Sequence, residues 1–380
     1  MKPPKIPRRH ANAIKANDVT EVFVEELQER EAALRSNHAW VLPMLDQMCA
    51  GRPIVASLKD SGLAVQDEIQ LVDVAGHVAV YKLWARRGRV TYDLNEQMAA
   101  ELYRSTYDTL PGNVFSNLPH INPLVVLPDP WPVTLNGFDG LVRGFFIFGY
   151  ANEPSQLTYT DNEDTDSLGM LFVIDLLDME TGEVRDQTYM RLHVPLTLKE
   201  FTFELAVQYS AERVEHKYIG STKAHKSGTY ALIRQLLRPA LSVLIYLCCD
   251  NRDAVEVPVS KPVKRKTRKA PISGRDPFFV EVGWRVGPKL HAARRMAGTT
   301  LAGPGVPTGI TRAAHQRSGH FHKYRVGPGR PDQRTETITR WIGPTWVNLG
   351  ELPEDADPIT TVVPVETQRR DPLRRRGLKT

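Results

Sequence analysis

Cysteine is almost missing: the 380 residues contain three, Cys49, Cys248 and Cys249. None forms a CxxC pair, so a disulfide framework is excluded and a reduced, cytosolic protein is expected. Long uninterrupted apolar runs are missing too. The most apolar stretch, Tyr230–Cys249, is broken in its first half by Arg234, Gln235, Arg238 and Pro239. It is expected to be a buried core helix rather than a membrane span, and no membrane partner is expected. The basic N-terminus, Met1-Lys2-Pro3-Pro4-Lys5-Ile6-Pro7-Arg8-Arg9, leads into no apolar segment, which excludes a secretory signal. The chain has no GxxxxGK[ST] phosphate loop, no GxSxG elbow and no repeat period. Gly303, Gly305 and Gly309 lack the strand and the spacing of a dinucleotide fingerprint. No cofactor is expected.

What is present is an ordinary globular composition with an uneven charge. Hydrophobic residues make up 41% and charged residues 24%, enough for a packed core. The 28 prolines favour short elements and long connections over a helical bundle. The net charge of +5 hides a division. Residues 1–260 carry a net −9, residues 261–350 a net +14, and residues 351–380 cancel. A region this basic is suited to a polyanion, most often nucleic acid.

The expected organisation has six parts. Residues 1–17 form a flexible basic arm, and Asp18 caps the first helix of a helical region over 18–109, with further helices at 40–50, 72–87 and 94–107. Residues 110–250 form an α+β core. Its strands are expected at 124–127 (ended by Pro128-Asp129-Pro130), 144–150, 168–177 and 187–198, and its helices at 198–208 and 229–249, with Pro239 kinking or restarting the last. A basic linker covers 251–276, a basic β module 277–350, and a flexible tail 351–380. The fold class is therefore α+β: a helical N-terminal part, a central mixed sheet with packed helices, and a basic C-terminal β-hairpin module. The acidic cluster Asp161–Asp166 lacks the glycine and the terminal glutamate of an EF-hand loop and reads as a solvated hairpin tip.

Two segments carry chemistry. Lys261–Lys269 places six positive charges in nine residues; Lys264, Arg265, Lys266, Arg268 and Lys269 are candidate phosphate contacts. The second segment is His315-Gln316-Arg317-Ser318-Gly319-His320-Phe321-His322-Lys323-Tyr324-Arg325, followed by Arg340-Trp341-Ile342-Gly343-Pro344-Thr345-Trp346-Val347-Asn348. If 320–325 is a strand, His320, His322 and Tyr324 share one face and Phe321, Lys323 and Arg325 the other. A strand over 335–342 can pair with it through Gly327-Pro328-Gly329. Four readings stay open. The hairpin is a nucleic-acid platform, with Arg317, Lys323, Arg325 and Arg340 on phosphates and Tyr324 and Trp341 stacking on bases. It is a zinc site built from His315, His320 and His322, without an evident fourth ligand. It is an RNA-cleaving site with His320 and His322 as base and acid. Or its histidines and aromatics only pack a small sheet.

The spacing His315-x4-His320-x-His322-x-Tyr324, then Arg340-Trp341-x-x-Pro344-x-x-Val347-Asn348, resembles the C-terminus of a type V-A anti-CRISPR family of phages, plasmids and other mobile elements. Arg317 and Gly319 fit the pattern, and Phe321 stands where the family has tryptophan. Pro277-Phe278 with Gly283, Arg285 and Gly287, and the apolar Leu241–Cys248, are similar to further family segments; shorter matches lie at Asn117-Leu118-Pro119 and Gly144-Phe145. The resemblance implies a binding protein rather than an enzyme. Its partner would be the nascent N-terminal segment of a target protein such as the type V-A CRISPR nuclease, with RNA or the ribosome as second partner. The consequence would be loss of the target's mRNA in the cytoplasm of a bacterial host. An endoribonuclease and a generic nucleic-acid-binding accessory protein are the alternatives.

Overall fold

The computed structural model describes residues 8–37, 65–149, 167–257, 278–292 and 315–347, with short interruptions inside several of these ranges, and Leu42 and Leu45 besides. The acidic cluster 161–166, the basic run 261–269, the Gly/Pro-rich 297–309, Asn348 and the tail 351–380 lie outside them, as does most of 40–50.

Helix α1 runs Arg8–Asn37. It starts ten residues before the expected cap at Asp18, because the stretch after Pro7 is rich in Ala, Arg and Lys and holds nothing that stops a helix. Helix α2, Val65–Arg86, follows, then strand β1, Val90–Leu94, and helix α3, Glu96–Arg104. β1 falls where the charge and hydropathy pattern suggested only helices. It is five residues long and buried on both faces, so it shows none of the alternation that reveals a half-exposed strand.

The remaining elements are β2 (Leu110–Pro111), β3 (Leu124–Leu135), β4 (Phe138–Phe148), β5 (Ser167–Leu177), β6 (Val184–Pro195), β7 (Glu200–Phe201), helices α4 (Phe203–Lys217) and α5 (Lys223–Cys248), and strands β8 (Ala254–Glu256), β9 (Phe278–Val282), β10 (His315–Arg317), β11 (His320–Val326), β12 (Glu336–Ile342) and β13 (Thr345–Val347). Seven strands form one mixed sheet in the order β6-β5-β4-β3-β1-β9-β8. β6 to β3 are antiparallel neighbours, β1 lies parallel between β3 and β9, and β8 closes the edge antiparallel to β9. The α+β class with N-terminal helices, a mixed sheet and a C-terminal hairpin is as the sequence suggested.

Strand β3 does not stop at Pro128. Its pairing with β4 shifts register between Val126 and Trp131 and then resumes to Leu135. β1 pairs with β3 only at Leu124–Val126, so the prolines sit where one side of β3 needs no strand neighbour. Pro239 likewise lies inside α5 rather than ending it. The segment 198–208 is divided between β7 and the start of α4.

The core has two faces. Phe23, Val24 and Leu27 of α1 and Val80, Tyr81 and Trp84 of α2 pack on Leu124, Val126, Phe146, Leu171 and Val173. On the other face α3, α4 and α5 cover Tyr92, Leu94, Val125, Phe145, Phe172 and Val280. The segment Gly228–Cys248 of α5 has the length and hydropathy to cross a membrane, yet 72% of that window is buried inside the fold. It is the central core helix. Burial pushes the thiols of Cys248 and Cys249 far up, so neither is a nucleophile at neutral pH.

Candidate nucleic-acid interface

The expected hairpin forms, and the structure sets its register. His320 faces Ile342, His322 faces Arg340, and Tyr324 faces Ile338, with the turn passing through Gly327 at φ +126°. β10 pairs with β13 in line with it, Arg317 facing Thr345 and His315 facing Val347. The sequence-level pattern thus covers one long ribbon that folds back on itself.

Two body segments position the ribbon, and both come from helix ends. α3 is started by Asn95, whose side chain accepts from the N–H groups of Gln97 and Met98 at 3.0 and 3.3 Å. It buries Met98, Ala99 and Leu102 and ends at Ser105. The Ser105 hydroxyl donates to the Glu101 carbonyl at 2.9 Å and accepts the indole N–H of Trp341 at 3.0 Å. Thr106 then pairs with the ribbon as a single bridge: its N–H donates to the Gly319 carbonyl and its carbonyl accepts from Phe321. At the end of α5, the Asp250 N–H donates to the Thr339 carbonyl at 3.1 Å. The Asn251 amide donates to the Trp341 carbonyl at 2.8 Å and accepts the Trp341 N–H at 3.0 Å.

These interactions reassign several residues. Trp341 is 3% exposed and meets Tyr246 edge-on, with ring centroids 5.6 Å apart. It is a core anchor and has no free face for a base, so its expected stacking role is withdrawn. Phe321, opposite Trp341, is buried beside it and takes the same role. Gly319 is held to glycine by proximity. A Cβ there would lie 3.0–3.1 Å from Trp341 Nε1, the Ile342 carbonyl and Ser105 Oγ. Pro344 is buried as well. The match around Gly283, Arg285 and Gly287 has a similar cause. Gly283 has φ +75° and donates to the Asp253 carbonyl at 2.7 Å, and the Asp253 carboxylate binds the Arg285 side chain and the N–H groups of Arg285 and Val286. Much of the recurring pattern is therefore the means of docking the ribbon and of closing the sheet edge.

The opposite face of the ribbon is left to solvent. On it His320, His322 and Tyr324 are exposed and Arg340 is half-buried, while Lys323 and Arg325 are exposed on the Phe321 face. His322 and Tyr324 meet edge-on at 4.7 Å, and the Arg340 guanidinium lies 5.8 Å from the centre of the Tyr324 ring. A positive group beside an exposed aromatic ring suits phosphate and base binding. Among the described residues no set of three His, Cys, Asp or Glu side chains is placed to hold a metal, so the zinc reading gains no support from them. Of His315 and Arg317 the described structure gives the strand position, in β10. Lys264, Arg265, Lys266, Arg268, Lys269 and Asn348 lie outside the described residues.

Sequence reasoning missed Ser105, Asp250 and Asn251. Their short polar side chains carry no pattern of their own, and they matter only because two helix ends converge on the ribbon.

Comparison with known proteins gives the following. Among curated proteins none matches. Among solved structures, the crystal structure of AcrVA2 is similar at 18% identity and a TM-score of 0.45, over 90% of this chain and all of the other. A family model described as AcrVA2-like, anti-CRISPR type V subtype A2 family, matches residues 92–349, from the interior strand β1 to just past β13. The chain belongs to the AcrVA2-like anti-CRISPR family.

Proposed function

We propose that this protein is a mobile-element inhibitor that binds a nascent peptide of a type V-A CRISPR nuclease and contacts RNA through its C-terminal ribbon, leading to loss of the nuclease mRNA. It would act in the cytoplasm of the bacterial host. The observation that carries the RNA contact is the two-sidedness of the ribbon. One side is anchored by Phe321 and Trp341, which leaves Tyr324, His322 and Arg340 together on the other. The net +14 of residues 261–350 supports the same reading.

For the peptide, strand addition at a sheet edge is the mode we favour. β4 and β5 have strand neighbours on both sides, whereas β3 has β1 beside it only at Leu124–Val126; past that point Pro128, Pro130 and Pro132 withhold the N–H groups an added strand needs. β6 is the long edge strand, and within it Thr188–Leu192 lies between two backbone carbonyls already engaged: Arg30 donates to the Gln187 carbonyl at 3.2 Å, and the Ser210 hydroxyl donates to the His193 carbonyl. That leaves a short window for an added strand.

The test is a reporter whose first codons encode the nuclease N-terminus. Its mRNA should fall when this protein is present and stay level when those codons are frameshifted with the nucleotide sequence nearly intact. An equal fall in both would rule out recognition of the peptide.

A further inference from the structure

Arg340 already has an anionic partner. Its Nη2 donates to Asp250 Oδ2 at 3.0 Å, both side chains being partly open to water at 36% and 56%. Asp250 sits two residues past the end of α5, where the negative end of the helix dipole disfavours a carboxylate and favours a cation. Its backbone N–H makes a separate bond to the ribbon, at the Thr339 carbonyl. The carboxylate adds the Arg340 ion pair, and removing its charge leaves the backbone bond to the ribbon in place. Beside that pair lies the Tyr324 ring, 39% exposed, with His322 at its edge. The Arg340 guanidinium lies over this ring, 5.8 Å from its centre, so a cation and an aromatic surface share one corner.

We propose that this corner is a site for one unpaired RNA nucleotide, its base on Tyr324 and its phosphate on Arg340, and that Asp250 holds Arg340 in the phosphate's place until RNA displaces it. The proposal rests on the RNA contact argued above and adds its subsite and an internal competitor. Exchange is physically reasonable. An exposed ion pair contributes little net free energy, whereas a phosphate brings a full charge and, through its neighbours along the strand, the release of counterions. The Arg340 backbone stays in place through the exchange, because the pairing with His322 and the Asn251 bond to the next residue do not involve its side chain.

The experiment is fluorescence anisotropy of a labelled short oligouridine with the full chain, at two salt concentrations. Asp250→Asn keeps the backbone hydrogen bond and the side-chain size, and should bind about three- to tenfold more tightly, the range that removal of one adjacent negative charge produces. Arg340→Ala should bind more weakly, and adding Asp250→Asn to it should restore nothing. Tyr324→Ala should lose roughly five- to a hundredfold, as for a base deprived of its stacking partner. Equal affinity of Asp250→Asn and the parent chain, with RNA bound by both, would overturn the competitor. A Tyr324→Ala chain that binds as the parent does would overturn the nucleotide site and leave a plain polyanion surface. If the parent chain binds no oligouridine even at low salt, the RNA contact itself is wrong and this inference falls with it. A thermal melt of each variant separates weakened binding from unfolding.

Discussion

At the scale of single residues, the family-like positions divide by what they touch. Gly319, Phe321 and Trp341 are packed; His322, Tyr324 and Arg340 are presented. Gly319→Ala has to push against an indole nitrogen, a carbonyl and a hydroxyl at 3.0–3.1 Å, closer than van der Waals contact, and should cost about 1–3 kcal/mol. Ser105→Ala leaves the buried indole N–H of Trp341 without its acceptor and should cost a similar ~1–3 kcal/mol. Both are checked by urea denaturation, and a His322→Ala chain as stable as the parent completes the contrast.

A second residue-scale case is Asp93. It lies next to Glu281 across the parallel pair β1 and β9, both side chains are buried, and its Oδ2 has no hydrogen-bond partner. Burial, with the Glu281 charge second, raises its pKa to about 8. The folded chain thus holds a proton that the unfolded chain releases near pH 4. Stability contributed by Asp93 is fully present below that pH and is lost as the pH rises to about 8, after which it is flat. Asp93→Asn has no such proton to lose. The gap in melting temperature between Asp93→Asn and the parent should therefore move in favour of the variant between pH 5 and 8. A gap independent of pH would show that Asp93 is ionised in the folded protein.

At the scale of elements, the ribbon is a docked part. Its anchor points, Ser105 to Thr106 and Asp250 to Asn251, are the ends of two helices that share one face of the sheet. The expected hairpin was legible because its chemistry is local: alternating residues, a Gly-Pro-Gly turn and matched strand lengths. Its sidedness was not. Alternation says that Phe321 and His322 point apart, but not which of them meets a core. The same limit applied to Trp341, which composition alone offered as a stacking ring. β6 gives an element-scale prediction. Proline at Met190 should lower peptide capture at that edge at least tenfold while RNA binding by the ribbon is unchanged. The measurement is pull-down of a labelled nuclease N-terminal peptide beside anisotropy with oligouridine.

At the scale of the whole molecule, charge is distributed so that the acidic part holds most of the sheet and the basic part holds the ribbon. Replacing Lys264, Arg265, Lys266, Arg268 and Lys269 by glutamine should flatten the salt dependence of RNA affinity, by as much as ~0.7 in the log–log slope for each phosphate that is no longer neutralised. A titration of oligouridine binding against salt reads this directly, and an unchanged slope would leave the run as a connector.

What the sequence determined by itself was whatever depends on near neighbours or on composition. The uneven charge, the scarcity of cysteine, the long apolar helix α5, the long strands of the central sheet and the paired histidine and tryptophan segments all belong here. These properties survive in a chain of any shape, because periodicity, turn residues and charge are local. The tertiary structure decided the rest. It inserted β1 between β3 and β9, strands far apart in the chain, and buried it on both faces, which erased its alternation. It carried two prolines through β3 at a register shift. It also turned Trp341 inward, because two helix ends supply hydrogen-bond partners to its indole and its backbone, so a residue that composition marked for binding became the anchor of the surface that binds.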